Sequence, residues 1–135
     1  MAENPNAAVI EQFRANGGRV GGPFEGMDML LLHHTGARSG TSYVNPVAYM
    51  PQGDGYAIFA SKAGHHAHPG WYHNLIANPD VTIELGTQTL AVHAHEVTGA
   101  ERDRIYAAMS ERRPQFAAYQ EKTERTIPVI VLTPA

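Results

Sequence analysis

Short apolar runs alternate with glycine- and proline-containing turns along most of the chain, and this pattern is typical of strands. Glycine-containing loops separate the first three runs, which indicates hairpins. Because such short connections leave no room for crossover helices, the sheet should be antiparallel. We expect six strands, over residues 29–34, 41–50, 56–61, 81–85, 89–97 and 127–132.

An N-terminal helix is predicted over residues 4–16, where Asn4 and Pro5 suit the cap and the first turn. Its apolar side chains fall on one side of the helix, and they are Val9, Ile10 and Phe13. Glycines at positions 17 and 18 end it. We therefore expect residues 1–22 to form an N-terminal helical arm and residues 23–135 to form one domain.

Three further helices are predicted in the second half of the chain. One begins at Pro69, one covers residues 99–113 behind a capping box at 98–101, and a short one contains residues 116–119. Six hairpin-rich strands with rim helices predict an α+β, mainly β fold built on a small antiparallel barrel. A dinucleotide-binding fold is disfavoured, because no G-x-G-x-x-G motif follows a strand.

Composition narrows the classes of function. The chain has 135 residues, a length that predicts a single domain with one hydrophobic core. Its net charge of −3 disfavours a protein that binds nucleic acid through a broad basic face. It has no cysteine, so disulfides, thiolate nucleophiles and zinc-thiolate sites are excluded. No signal peptide is visible, and the longest apolar runs, 29–32 and 129–132, are too short to cross a bilayer. We expect a cytoplasmic protein without stable membrane insertion, and a peripheral membrane contact through the N-terminal arm stays open.

Histidines and serines are the first candidates for chemistry. A metal ion could be held by the histidines at 65, 66, 68 and 73, but no H-E-x-x-H motif is present and the nearby acids lie on separate strands. We therefore expect no metal site, and a metal-binding module ranks last among the alternatives. His33 and His34 end a strand and could approach a ligand, whereas His93 and His95 share one strand face. The serines do not lie in a G-x-S-x-G motif, so a serine hydrolase is disfavoured.

A more specific combination joins three segments. Arg38 lies in a glycine-flanked turn, Lys62 follows a strand, and Gly70 lies at a helix start. A guanidinium fork, an ammonium and free helical N–H groups all suit a phosphate. Trp71 and Tyr72 offer flat apolar surface for a ring system. Together these residues predict a phosphorylated aromatic ligand.

Several segments at these positions also carry a family resemblance. They are Thr35-Gly-Ala-Arg-Ser-Gly40, Val44-Asn-Pro-Val47, Ala60-Ser-Lys-Ala-Gly64, His68-Pro-Gly-Trp-Tyr-His-Asn-Leu75 and Arg125-Thr-Ile-Pro128. In this order and spacing the chain resembles the deazaflavin-dependent nitroreductase family. The resemblance implies a split β-barrel that binds coenzyme F420, an 8-hydroxy-5-deazaflavin with a phosphate-linked oligoglutamate tail. It also implies hydride transfer from the reduced coenzyme to a quinone, an activated alkene or a nitroaromatic compound.

The resemblance also implies the site residues. The phosphate and tail would meet Ala37, Arg38 and Ser39, and the groove beside them would be lined by Tyr43, Val44, Asn45, Pro46, Val47 and Ala48. The ring would be edged by Phe59, Ala60, Ser61 and Lys62, and the phosphate side would be closed by Gly70, Trp71, Tyr72, His73 and Asn74. Phe116 and Tyr119 would form the acceptor side, with Ser61 and Tyr119 as the catalytic residues.

This sequence departs from the nitroimidazole-activating members of the family. Their C-terminal helix is rich in tyrosine, whereas the matching stretch here has Arg113, Phe116 and Tyr119, and Ala48 occupies a place where tyrosine can occur. Two other functions remain open on the same barrel. One is an oxidoreductase that uses FMN, and the other is a non-catalytic carrier of coenzyme F420.

Overall fold

The computed structural model of the protein describes residues 7–19, 28–64 and 66–135. These residues form four α-helices and six strands. In chain order they are α1 (Ala7–Ala15), β1 (Met29–Thr35), β2 (Ser42–Gln52), β3 (Gly55–Phe59), a 3-10 turn (Lys62–Gly64), α2 (Gly70–Ala77), β4 (Asp80–Leu85), β5 (Gln88–Val97), α3 (Gly99–Arg112), α4 (Gln115–Glu121) and β6 (Val129–Pro134).

The six strands close into an antiparallel barrel in the order β1-β2-β3-β6-β5-β4. Hairpins pair β1 with β2, β2 with β3, and β4 with β5. Helix α2 leads from β3 to β4, which pairs with β1, and β6 closes the barrel between β3 and β5. The predicted fold class, a mainly β barrel of six antiparallel strands with rim helices, is confirmed.

Strand alternation divides the apolar residues between the inside and the outside of the barrel. Leu30 and Leu32 of β1 join an interior cluster with Ile58, Ile83 and Leu132, and all five are fully buried. The interior is therefore a packed core of aliphatic side chains, as small barrels require.

The outer faces are covered by helices. Phe13 of α1 is fully buried against Met29 and Leu31, the β1 residues that point away from the interior. Helices α3 and α4 cover the outer face of β3 and β6 through a second apolar cluster that includes Ile105 and Phe116. Residues 1–6 of the predicted N-terminal arm lie outside the described residues, and with them Asn4 and Pro5.

The third strand is shorter than predicted, because it ends at Phe59 and leaves Ser61 in a loop. The Ala60 N–H donates to the carbonyl of Pro128 at 3.0 Å, but proline has no N–H to return the bond. The Arg125 guanidinium takes that place, donating to the carbonyls of Ala60 at 3.1 Å and Ser61 at 2.9 Å. A side chain thus continues the ladder where the backbone cannot.

The predicted capping box at the start of α3 is wrong, although the helix begins at the expected residue. The Thr98 side chain makes no cap hydrogen bond. Gly99 adopts a φ of +63°, a left-handed conformation outside the helical region. The backbone therefore does not present the regular N-terminal geometry that a capping box requires.

Candidate functional site

A single large cleft of about 1150 Å³ brings together most of the predicted site residues. Its volume is comparable with the larger small-molecule pockets of proteins. The walls come from the β1–β2 turn, β2, the segment after β3, α2 and α4. The predicted residues that line it are Ala37, Arg38, Ser39, Tyr43, Asn45, Pro46, Val47, Ala48, Phe59, Ser61, Lys62, Gly70, Trp71, His73, Asn74, Phe116 and Tyr119.

The turn between β1 and β2 presents the exposed Arg38 at one side of the cleft. Two backbone bonds close this turn, from the Gly36 N–H to the Thr41 carbonyl (2.8 Å) and from the Gly40 N–H to the Gly36 carbonyl (3.0 Å). The Ser39 hydroxyl accepts from the Thr41 N–H at 3.1 Å. A Cβ at position 36 would lie 2.6 Å from the Ser39 Oγ, so a side chain there would displace this hydroxyl from its bond to Thr41.

The turn is tied to α2 through Asn74. The Ala37 N–H donates to Asn74 Oδ1 at 2.9 Å, and Asn74 Nδ2 contacts Nδ1 of His34 at 2.9 Å. His34 Nε2 in turn lies 2.7 Å from Asn45 Oδ1. Burial lowers the pKa of His34, which is only 5% exposed, and this favours the neutral ring. Helix α2, the turn and β2 therefore meet in one hydrogen-bonded network.

The segment after β3 has an unusual backbone. Lys62 lines the cleft with a φ of +45°, and Gly64 has a φ of +81°. A Cβ on Gly64 would lie 2.7 Å from the carbonyl oxygen of Tyr119. Glycine at this position thus lets α4 pack directly on the loop that carries Ser61 and Lys62.

Gly64→Ala is expected to lower the free energy of unfolding by about 1–3 kcal/mol, because the new methyl group adds backbone strain and a clash. The matched control is Gly70→Ala, whose Cβ would meet no atom within 4 Å. The control should leave stability unchanged or raise it slightly. Urea denaturation of both variants measures the difference, and equal stabilities would contradict this account of Gly64.

Aromatic side chains from β3 and α4 form one part of the cleft lining, the aromatic wall. Phe59 and Phe116 make an edge-to-face pair at 5.5 Å, and Tyr119 packs on Phe116 at 5.3 Å. The Tyr106 hydroxyl donates to the Phe116 carbonyl at 2.5 Å. Burial raises the pKa of Tyr106 to about 12, so it stays protonated and keeps that bond at neutral pH.

Helix α4 is also fastened from behind by Gln120. Its Oε1 accepts from the Arg102 guanidinium at 2.6 Å and from the Ile127 N–H at 3.0 Å. Its Nε2 donates to the Arg125 carbonyl at 2.7 Å. Because α4 carries Phe116 and Tyr119, this network fixes the aromatic wall relative to the barrel.

Three predicted residues do not line the cleft. Val44 lies on the outer face of β2 and packs on the cluster around Phe13, whereas Pro46 and Ala48, farther along the same face, do line the cleft. Ala60 is fully buried in the barrel interior. Tyr72 projects from α2 to β5, where its hydroxyl donates to Glu96 at 2.5 Å.

The cleft also includes four residues outside the predicted set of site residues, namely Met29, His34, Gly36 and Pro69, although His34 was expected to be able to approach a ligand. Strand alternation offered a signal for His34, because it shares the inner face of β1 with Leu30 and Leu32. Pro69 and Gly36 adjoin assigned segments.

The histidine cluster does not form a metal centre in the part of the chain that the structure describes. Among those residues, no group of three or more His, Asp and Glu side chains could hold an ion, and His65 lies outside them. His68 Nδ1 lies 3.0 Å from the Arg125 guanidinium, which must donate, and burial lowers the pKa of His68. His93 pairs instead with Asp80 at 2.8 Å.

Comparison with known proteins gives three kinds of similarity. Residues 7–134 match the family model described as F420H(2)-dependent quinone reductase. An F420H(2)-dependent quinone reductase of Mycobacterium tuberculosis (strain H37Rv) is 41% identical over 125 residues, covering 90% of this chain and 84% of the relative. A solved F420-H2 dependent reductase is 38% identical with a TM-score of 0.70, covering 77% of this chain and 92% of that one. A structure described as a domain-swapped dimer is 33% identical with a TM-score of 0.72, covering 96% and 99%.

Proposed function

Because the chain belongs to the F420H(2)-dependent quinone reductase family, we propose that it reduces a small quinone-like acceptor with a hydride from reduced coenzyme F420. The observation that carries this proposal is the mixed lining of the cleft. Arg38, Lys62 and the N-terminal turn of α2 line the same cleft as the aromatic side chains of Phe59, Phe116 and Tyr119. An anionic tail and a flat ring system need these two environments.

The residues present fit the coenzyme. Arg38, Lys62 and the N-terminal turn of α2 would hold the phosphate and the acidic tail, because all three attract anions. Trp71, which is buried and lines the cleft, would pack its apolar surface against the bound molecule. When bound, the reduced coenzyme supplies the hydride, and the protein supplies placement and shielding.

On the acceptor side, Tyr119 and Ser61 are the hydroxyl-bearing residues that we assign to the reaction. A quinone gains negative charge on oxygen as the hydride arrives, and the Tyr119 O–H can donate a hydrogen bond or a proton to it. Phe59 and Phe116 keep water from this part of the cleft. Ser61 is held in place by the Arg125 bond to its carbonyl, so its side chain stays at the cleft.

The aromatic wall, which forms the acceptor side of the cleft, favours quinones or activated alkenes over nitroimidazoles as electron acceptors. Phe116 and Ala48 bring no hydroxyl groups to the cleft lining, at places where the resemblance to the nitroreductase family implies that tyrosines can occur. No helix among the described residues is long and apolar enough to cross a membrane. We further propose that the protein acts in the cytoplasm, with residues 1–22 as an N-terminal arm, whose helix α1 packs on the barrel through Phe13, and residues 23–135 as the coenzyme-binding domain.

Coenzyme F420 should bind at least tenfold more tightly than FMN, a difference of about 1.4 kcal/mol. The reason is the acidic tail, which only the deazaflavin coenzyme brings to Arg38 and Lys62. Parallel fluorescence titrations of purified protein with the two molecules measure this ratio. Equal or reversed affinities would favour the FMN-using oxidoreductase, and tight F420 binding without turnover on any acceptor would favour a carrier.

A further inference from the structure

We propose that His34 is a positioning residue that holds the anion-binding turn in its binding-competent form, acting through Asn74. This inference rests on the proposed function, because it assigns the residues that shape the coenzyme's phosphate site. It concerns a side chain buried at the floor of the cleft, behind the residues that would meet the ligand.

Both nitrogens of the His34 ring have partners. Nδ1 contacts Asn74 Nδ2 at 2.9 Å, and Nε2 contacts Asn45 Oδ1 at 2.7 Å. The ring also stacks on Tyr43, with centroids 5.5 Å apart and an interplanar angle of 23°. His34 therefore connects α2 with β2 across the cleft floor and is held in one orientation.

The hydrogen-bond partners of His34 determine which of its ring nitrogens carries the proton. The Ala37 N–H donates to Asn74 Oδ1, so the amide must turn its NH₂ group toward His34. An NH₂ group can only donate, so Nδ1 must be the nitrogen with the lone pair. The proton of the neutral ring then lies on Nε2, from which it donates to Asn45 Oδ1. Each of these three hydrogen bonds then joins a donor to an acceptor.

The network ends at the turn that carries Arg38. Residue 37 is exposed, and its N–H donates directly to Asn74 of α2. If Asn74 loses its acceptor on His34, its amide is free to rotate, and the turn loses its connection to α2. We expect that Arg38 and the N-terminus of α2 are then no longer held in a fixed position relative to each other. Because both would contact the same anion, the affinity for the coenzyme falls.

Two substitutions at position 34 separate this role from general stability. In His34→Asn, the side-chain Oδ1 can occupy the place of Nδ1 and accept from Asn74, while the bond to Asn45 is lost. In His34→Gln, the longer amide can donate to Asn45 in the place of Nε2, while the bond to Asn74 is lost. Each variant thus gives up one of two hydrogen bonds at the same buried position.

The first measurement needs no coenzyme. Hydrogen exchange of the Ala37 amide reports directly on its bond to Asn74. We expect protection of this amide to fall at least fivefold in His34→Gln and to stay near the wild-type value in His34→Asn. Thermal unfolding is expected to show similar losses for both variants, since each loses one buried hydrogen bond.

The second measurement is the Kd for coenzyme F420, obtained by fluorescence titration. We expect it to rise roughly five- to tenfold in His34→Gln and less than twofold in His34→Asn. If both variants weaken binding in proportion to their lost stability, the positioning role is wrong. If wild-type protein fails to bind the coenzyme at all, the proposed function fails, and Ala37 exchange still decides whether His34 holds the turn.

Discussion

Replacing Arg38 by alanine is expected to weaken the binding of coenzyme F420 about ten- to a hundredfold, because a charge-assisted contact contributes roughly 1.5–3 kcal/mol. Arg38 is exposed on the turn at the cleft, where its guanidinium can reach a phosphate or carboxylate. Such a contact is remote from the transferred hydride and contributes equally to ground and transition states. The rate of hydride transfer at saturating coenzyme should therefore change far less than the Kd.

The matched control for this prediction is Arg104→Ala, which removes the same charge from an exposed position of α3 outside the cleft lining. Arg38→Lys provides an intermediate case, because it keeps the charge and loses the planar fork. Fluorescence titration at two salt concentrations measures all three Kd values. If Arg38→Ala binds normally but transfers hydride slowly, Arg38 has been assigned to the wrong part of the ligand.

Replacing Tyr119 by phenylalanine is expected to lower the rate of hydride transfer to a quinone roughly ten- to a hundredfold, the contribution of about one hydrogen-bond donor. The ring and its packing on Phe116 are retained, so the affinity for coenzyme F420 should stay the same. The rate falls because the variant has no hydroxyl to stabilise the negative charge that develops on the acceptor oxygen.

Stopped-flow oxidation of bound, reduced coenzyme by a quinone measures that rate. Tyr56→Phe is the matched control, since it removes a hydroxyl from a half-buried tyrosine of β3 that is not part of the cleft lining. An unchanged rate in Tyr119→Phe would reduce Tyr119 to a packing residue of the aromatic wall.

The barrel could be predicted from the sequence because its determinants are local. Alternating apolar residues and glycine-containing turns predict each hairpin, and hairpins join five of the six strands to a neighbour. The end of β3 was not predictable in this way. It depends on Pro128 and Arg125, which come from a segment more than sixty residues later.

The candidate site was predictable where short motifs carry its chemistry, as in the turn around Arg38 and the start of α2. It was harder to predict which side chains of a strand or helix face the cleft. Strand alternation does not separate Val44 from Pro46 and Ala48, which lie on the same face of β2 and do line the cleft. The rotation of α2 sends Tyr72 to Glu96. The role of His34 depends on Asn74, forty residues away, and becomes visible only when α2 is docked on β1.

Hydride transfer from reduced coenzyme F420 to a quinone can be measured directly under multiple-turnover conditions. Purified protein is mixed anaerobically with a large excess of reduced coenzyme and a soluble quinone, and the oxidised coenzyme is followed by its absorbance. We expect many turnovers per protein molecule, with one quinone reduced for each coenzyme oxidised. Oxidation no faster than in a protein-free control, under conditions in which titration shows the coenzyme bound, would contradict the proposed function.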